Sequence, residues 1–152
     1  METMSNLKDS TLDGVEDLIR INIDSGKGFE TAAEQIENKD MASFFKRCGQ
    51  RRTEFAGELQ RVVGMNNENP PSKGTVAGSI HRWWLGVRGT VQNGSEHAVL
   101  AEAERGEDAI KARYERVIRE TAGSPLNAVL LRQYACVKQD HDLIRDMRDA
   151  RA

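Results

Sequence analysis

Residues 39–64 read KDMASFFKRCGQRRTEFAGELQRVVG. Met41, Phe45, Cys48, Phe55, Leu59 and Val62 follow one another at steps of three and four residues, and Arg52 fills the one slot where an apolar residue is missing. That spacing puts all of them on one stripe of a long helix. Asn38-Lys39-Asp40 supplies a start signal, and Gly64 a stop.

The same rhythm extends in both directions. Upstream, Leu12, Val15, Ile19, Gly26, Phe29, Ala33 and Ile36 form a stripe whose gap is filled by Asn22. Ser10 with Asp13 resembles a capping box at its head. Gly26 and Gly28 each cost roughly 1 kcal/mol against alanine inside a helix, so a kink or a close neighbour is expected there. Downstream, residues 65–74 hold Asn66-Asn67 and Asn69-Pro70-Pro71, the marks of a loop. A shorter amphipathic helix is expected over Val76, Ile80, Trp83, Val87 and Val91, with Trp84 widening its face. Ser95 can cap the next long helix, whose stripe is Leu100, Ala103, Ile110, Tyr114 and Val117 with Glu107 in the gap. Gly123, Ser124 and Pro125 mark the next break. The last stripe is Leu126, Leu130, Tyr134, Val137, Ile144 and Met147, with His141 on or beside it.

These elements predict an all-α fold: a ferritin-like four-helix bundle of two antiparallel hairpins, turning near residues 39 and 123. The hairpins are joined by a long crossover that contains the short fifth helix. At about 1.5 Å per helical residue the crossover can run the length of a bundle, and that connection distinguishes the ferritin-like arrangement from simple up-and-down bundles. Residues 1–9 are expected as a disordered tail, and residues 10–152 as one helical domain.

Composition narrows the functional classes. Lys plus Arg number 22 and Asp plus Glu 24, a net charge of −2, so a broad electrostatic grip on nucleic acid or anionic lipid is not expected. No apolar run approaches the roughly 20 residues of a membrane span. Cys48 and Cys136 make no disulfide framework and read as small buried residues. Met1 to Ser10 lack the basic start and apolar stretch of a signal peptide, and a cytoplasmic location is expected. Ser25-Gly26-Lys27-Gly28 lacks the order of a phosphate loop and has no strand before it.

The polar residues inside the stripes are the candidates for function. Hairpin geometry sets Arg52 opposite Ser25 and near Asn22, and sets Glu107 opposite Asp140 and within a turn of His141. Asn22, Arg52, Glu107 and His141 are therefore expected in one central layer, with Glu54, Glu104 and Asp140 at its edge. Two readings compete. One is a salt-bridge and hydrogen-bond layer that fixes helix register, since buried charge demands partners. The other is a divalent-metal site built from Glu54, Glu104, Glu107 and His141. A ferritin-type dinuclear site needs two Glu-x-x-His pairs, and here Lys138 stands three before His141 while Gly57 stands three after Glu54. Arg52 would also bring positive charge beside the metal. An Arg52–Glu107 bond would favour the structural reading.

Several segments carry a family resemblance: Asp24 to Phe29 (DSGKGF), Arg51 to Ala56 (RRTEFA), Val76 to Trp83 (VAGSIHRW), Glu104 to Ala109 (ERGEDA), Gln133-Tyr134, Lys138 and His141-Asp142. Together they resemble a bacterial family of ferritin-like four-helix-bundle proteins of about this length, labelled as a domain of unknown function. The resemblance extends from about residue 10 to residue 149. It implies a ferritin-like bundle in bacterial cytoplasm and no established activity or catalytic residue. The expected function is that of a non-enzymatic bundle protein with an interaction or stress-related role and no cofactor. It would self-associate or bind a protein partner, and Trp83 and Trp84 are candidate anchors. The alternative is a metal-binding redox or storage protein.

Overall fold

The computed structural model describes residues 2–74, 86, 89 and 95–151. The expected short helix, with Trp83 and Trp84, lies outside the described residues apart from Gly86 and Gly89. Four long helices account for most of the rest: α1 (Asp9–Gln35), α2 (Lys39–Met65), α3 (Glu96–Glu120) and α4 (Asn127–Asp149). No strand occurs among the described residues, only an isolated bridge between Thr3 and Asn6.

Each helix forms because its apolar stripe can be buried. Val15, Leu18, Ile19 and Phe29 of α1 meet Met41, Phe45, Cys48, Leu59 and Val63 of α2, together with Leu100, Ile110, Tyr114 and Val117 of α3 and Leu130, Val137 and Ile144 of α4, in one core. Asn38 caps α2 by accepting from the Met41 N–H at 3.0 Å, and Ser95 caps α3 through the Ala98 N–H at 3.2 Å. Two ends differ from expectation. The side chain of Ser10 does not cap α1, which begins at Asp9 after Lys8. At the end of α2, Gly64 stays helical and Asn67 takes the left-handed turn at φ 60°, a conformation that asparagine tolerates better than most residues.

Contacts between helices fix their directions. Ser25 pairs with Arg52, and Tyr114 with Gln133, so each hairpin is antiparallel. Gly14 lies against Val117, and Asp17 pairs with Arg113, which makes α1 and α3 antiparallel. Arg51 pairs with Asp140, and Glu58 with Gln133, which does the same for α2 and α4. Helices α2 and α3 therefore run in the same direction, and the chain between residues 66 and 95 connects opposite ends of the bundle. Its described start already turns back along the first hairpin: Gln60 donates to the Pro71 carbonyl at 2.9 Å, and Gly74 lies against the Asp24 carboxylate.

The stretch ahead of α1, expected as a loose tail, packs against the end of the bundle. Leu7 is 7% exposed, and its N–H donates to Asn66 Oδ1 at 2.8 Å. Short polar segments show no periodicity, so this anchoring has no signature within residues 1–9 themselves.

Helices α1 and α2 approach closely at Gly26 and Gly49. A Cβ on Gly49 would stand 3.0 Å from the Gly26 carbonyl oxygen and 3.2 Å from Phe29 Cβ. A close neighbour, then, accounts for glycine at position 26. Gly57 is different, since a Cβ there would meet only Arg61 Nη1 at 3.8 Å. Two substitutions in α2 should therefore move stability in opposite directions in urea unfolding. Gly57→Ala should stabilise by up to about 1 kcal/mol through helix propensity. Gly49→Ala should destabilise by about 1–3 kcal/mol, because backbone must move. A gain from both would contradict the close packing.

Candidate functional site

Arg52 is fully buried, and its position on the α2 stripe aims it between the two hairpins. Its Nη1 donates to Glu107 Oε1 at 2.9 Å and to Ser25 Oγ at 3.1 Å. Its Nη2 donates to Glu107 Oε2 at 2.5 Å and to Asp140 Oδ2 at 3.2 Å. The guanidinium also lies 5.4 Å from the centroid of the Phe29 ring, within cation–π range. Arg51, half-buried at the rim, donates to the other Asp140 oxygen at 2.5 Å. One layer thus takes Ser25 from α1, two arginines from α2, Glu107 from α3 and Asp140 from α4. Its two cations face two carboxylates.

A second layer lies beside it, nearer the start of α1. Asn22 Nδ2 donates to the Leu18 carbonyl at 2.8 Å and to Tyr114 OH at 2.7 Å. Tyr114 donates to Gln133 Oε1 at 2.9 Å, and Gln133 Nε2 donates to Glu58 Oε1 at 2.7 Å. The other Glu58 oxygen meets Arg132. This chain again touches all four helices, through Asn22, Glu58, Tyr114 and Gln133.

Burial is the largest influence on Glu107 and raises its pKa, while Arg52 pulls against it. For Arg52 burial is the largest influence and opposes the charge, but the Glu107 and Asp140 carboxylates together outweigh it and hold the guanidinium protonated more firmly than usual. Burial raises the Cys48 thiol well above its ordinary range, which makes it a poor nucleophile. Arg52 Nε and Asn22 Oδ1 are buried without a partner among the described residues. Each such atom carries a cost of about 1–3 kcal/mol.

The four candidate metal ligands stand in four settings. Glu107 is held by Arg52. Glu104 is paired with Arg148. Glu54 is exposed on α2, because two residues from Arg52 means the far side of the helix. His141, 9% exposed, contacts Asp108 Oδ1 through Nε2 at 2.8 Å and Asp142 Oδ1 through Nδ1 at 3.0 Å. Among the described residues no group of three or more His, Cys, Asp or Glu is placed to hold a metal ion. Of the four residues expected in one central layer, Asn22, Arg52 and Glu107 are buried but split between the two layers, and His141 pairs with Asp108 and Asp142 instead.

Asp140 was expected at the edge, yet it is fully buried, and so is Gln133. The α4 stripe runs through Leu130, Gln133, Val137, Asp140 and Ile144, while Tyr134 is only half-buried. The signal for this was the strict alternation of three- and four-residue steps seen in the other helices, which passes through Gln133 rather than Tyr134. A family described as a domain of unknown function, DUF2383, matches residues 10–120. That match covers Ser25, Arg52 and Glu107 and stops before Asp140. No curated protein matches the chain.

Two predictions follow from the layers. Arg52→Met leaves Glu107 buried without its cation and should lower unfolding free energy by about 3–5 kcal/mol. Adding Glu107→Leu removes the orphaned charge and leaves the Arg51–Asp140 pair intact, so most of that loss should return in urea titrations. A double variant as unstable as the sum of its singles would overturn the pairing. In the second layer, the Arg132 hydrogen bond lowers the pKa of Glu58. A depressed carboxylate stabilises the fold above its ordinary pKa of about 4.3, and that contribution fades as pH falls through the lower folded value. Glu58→Gln should therefore flatten the acid side of a plot of melting temperature against pH. Parallel curves for the two proteins would count against the assignment.

Proposed function

The chain belongs to the DUF2383 family, a domain of unknown function, and we propose that it is a non-enzymatic helical-bundle protein whose polar core fixes helix register rather than holding a metal. The observation that supports this is the bidentate Arg52–Glu107 contact inside the bundle. A cation already occupies the centre of the acidic layer, and it is part of the chain. Glu104 is likewise engaged by an arginine through Oε1, while its Oε2 is buried without a partner among the described residues.

The parallel course of α2 and α3 supports a ferritin-like topology, since it calls for a connection along the bundle. On this reading the ferritin-like frame has lost the paired Glu-x-x-His motifs and keeps a charge-balanced layer in their place. Its role is one of interaction, as a self-associating or partner-binding protein of bacterial cytoplasm, with a stress-related task as one form of it. Trp83 and Trp84 are the residues chosen for that contact from their sequence pattern, because large aromatics anchor interfaces.

Two measurements on the full chain test this reading. After loading with iron, zinc or manganese and desalting, elemental analysis should find no stoichiometric metal. Stoichiometric metal that is lost in His141→Ala would favour a metal-binding redox or storage protein instead. In light scattering over a wide concentration range the protein should self-associate, and Trp83→Ala with Trp84→Ala should weaken that association. A strict monomer would remove self-association from the reading.

A further inference from the structure

Residues 2–8 are held by side-chain hydrogen bonds at two anchor points. At one end the Glu2 carboxylate accepts from the Lys8 N–H at 3.2 Å and from Thr11 Oγ1 at 2.9 Å. Glu2, Thr11 and Ser124 line one cleft of about 340 Å³ between the head of α1 and the turn from α3 to α4. At the other end a single side chain, Asn66, holds the segment from both sides. Its Oδ1 accepts from the Leu7 N–H at 2.8 Å, and its Nδ2 donates to the Met4 carbonyl at 2.9 Å. Between the anchors Thr3 and Asn6 exchange two backbone hydrogen bonds, at 3.4 and 3.1 Å.

We propose that residues 2–8 form a detachable clasp that closes the foot of the bundle across both hairpins and opens as one unit. The argument is geometric. Glu2 ties the segment to α1 of the first hairpin and sets it in the cleft beside the turn of the second, while Asn66 ties it to the end of α2. The Thr3–Asn6 turn joins the two anchors through only a few residues, so loss of either anchor frees the other. Leu7 is the one buried apolar side chain in the segment, and Met4 is only partly buried. A single buried apolar side chain and side-chain hydrogen bonds that are part-buried or exposed place a segment at the low-stability end of a fold. Both polar layers lie along the helices, away from these anchors, so the clasp can open while they stay intact. Its release uncovers the apolar foot of the core where Leu7 sits.

Native-state amide hydrogen exchange of the full chain tests this. The Asn6, Leu7 and Lys8 amides should share one protection factor, well below that of the amides around Arg52. Glu2→Ala and Asn66→Ala should each speed all three by a common factor of about tenfold, the scale of one to two lost hydrogen bonds. The amides around Arg52 should not change. Glu2→Ala does not touch Asn66, so a faster Leu7 amide in that variant reports coupling directly, whatever Asn66→Ala does to the end of α2. If each variant speeds only the amide it contacts, or if the amides around Arg52 speed equally, the clasp is not a separate unit and the proposal falls.

Discussion

A guanidinium that water does not reach must find its counter-charge inside the protein, and Arg52 finds it in Glu107. The two planar groups meet fork to fork, an arrangement that tolerates little sliding or rotation. Because Arg52 belongs to α2 and Glu107 to α3, this one contact sets the height and phase of two helices from different hairpins. Ser25 and Asp140 then extend the same constraint to α1 and α4. The apolar stripes alone would leave that register looser, since Leu, Ile and Val side chains accept many neighbours of similar size.

The second layer adds an independent constraint close by. From Asn22 through Tyr114 and Gln133 to Glu58, each group donates to the next. A shift of one helix by a turn would break both layers together and leave buried polar atoms without partners. The surface pairs add less, because exposed ion pairs contribute little. Asp17 with Arg113, at 2.7 Å, is one such brace across the seam between the hairpins. The tight approach of Gly26 and Gly49 is of another kind. It fixes how α1 meets α2 within one hairpin and is independent of the charge layer.

How much of this was legible in the sequence varies from helix to helix. In α1, α2 and α3 a single polar residue interrupts an otherwise apolar stripe, so Asn22, Arg52 and Glu107 stood out as buried. In α4 two polar residues share the stripe, and Tyr134 beside Gln133 offered a more apolar path that the fold does not follow. Gln133 and Asp140 are met by Glu58, Tyr114 and the two arginines from other helices, and within the sequence only the strict alternation of three- and four-residue steps pointed to their burial. Glu54 joined the candidate site on approximate height alone, although its phase on α2 points it outward. The contacts of Met4 and Leu7 with Asn66 join distant parts of the chain, which is why residues 1–9 read as a tail. The all-α class and the two hairpins needed only periodicity and break residues, both local.

The central claim is that the charge layer selects one arrangement of the four helices rather than supplying the bulk of their stability. Its most direct test is the two-dimensional amide NMR spectrum of the full chain carrying Arg52→Met and Glu107→Leu together. The account predicts retained helical content with broadened or multiplied resonances along all four helices, as more than one register becomes populated. A single sharp set of resonances, shifted only next to the two substitutions, would contradict it.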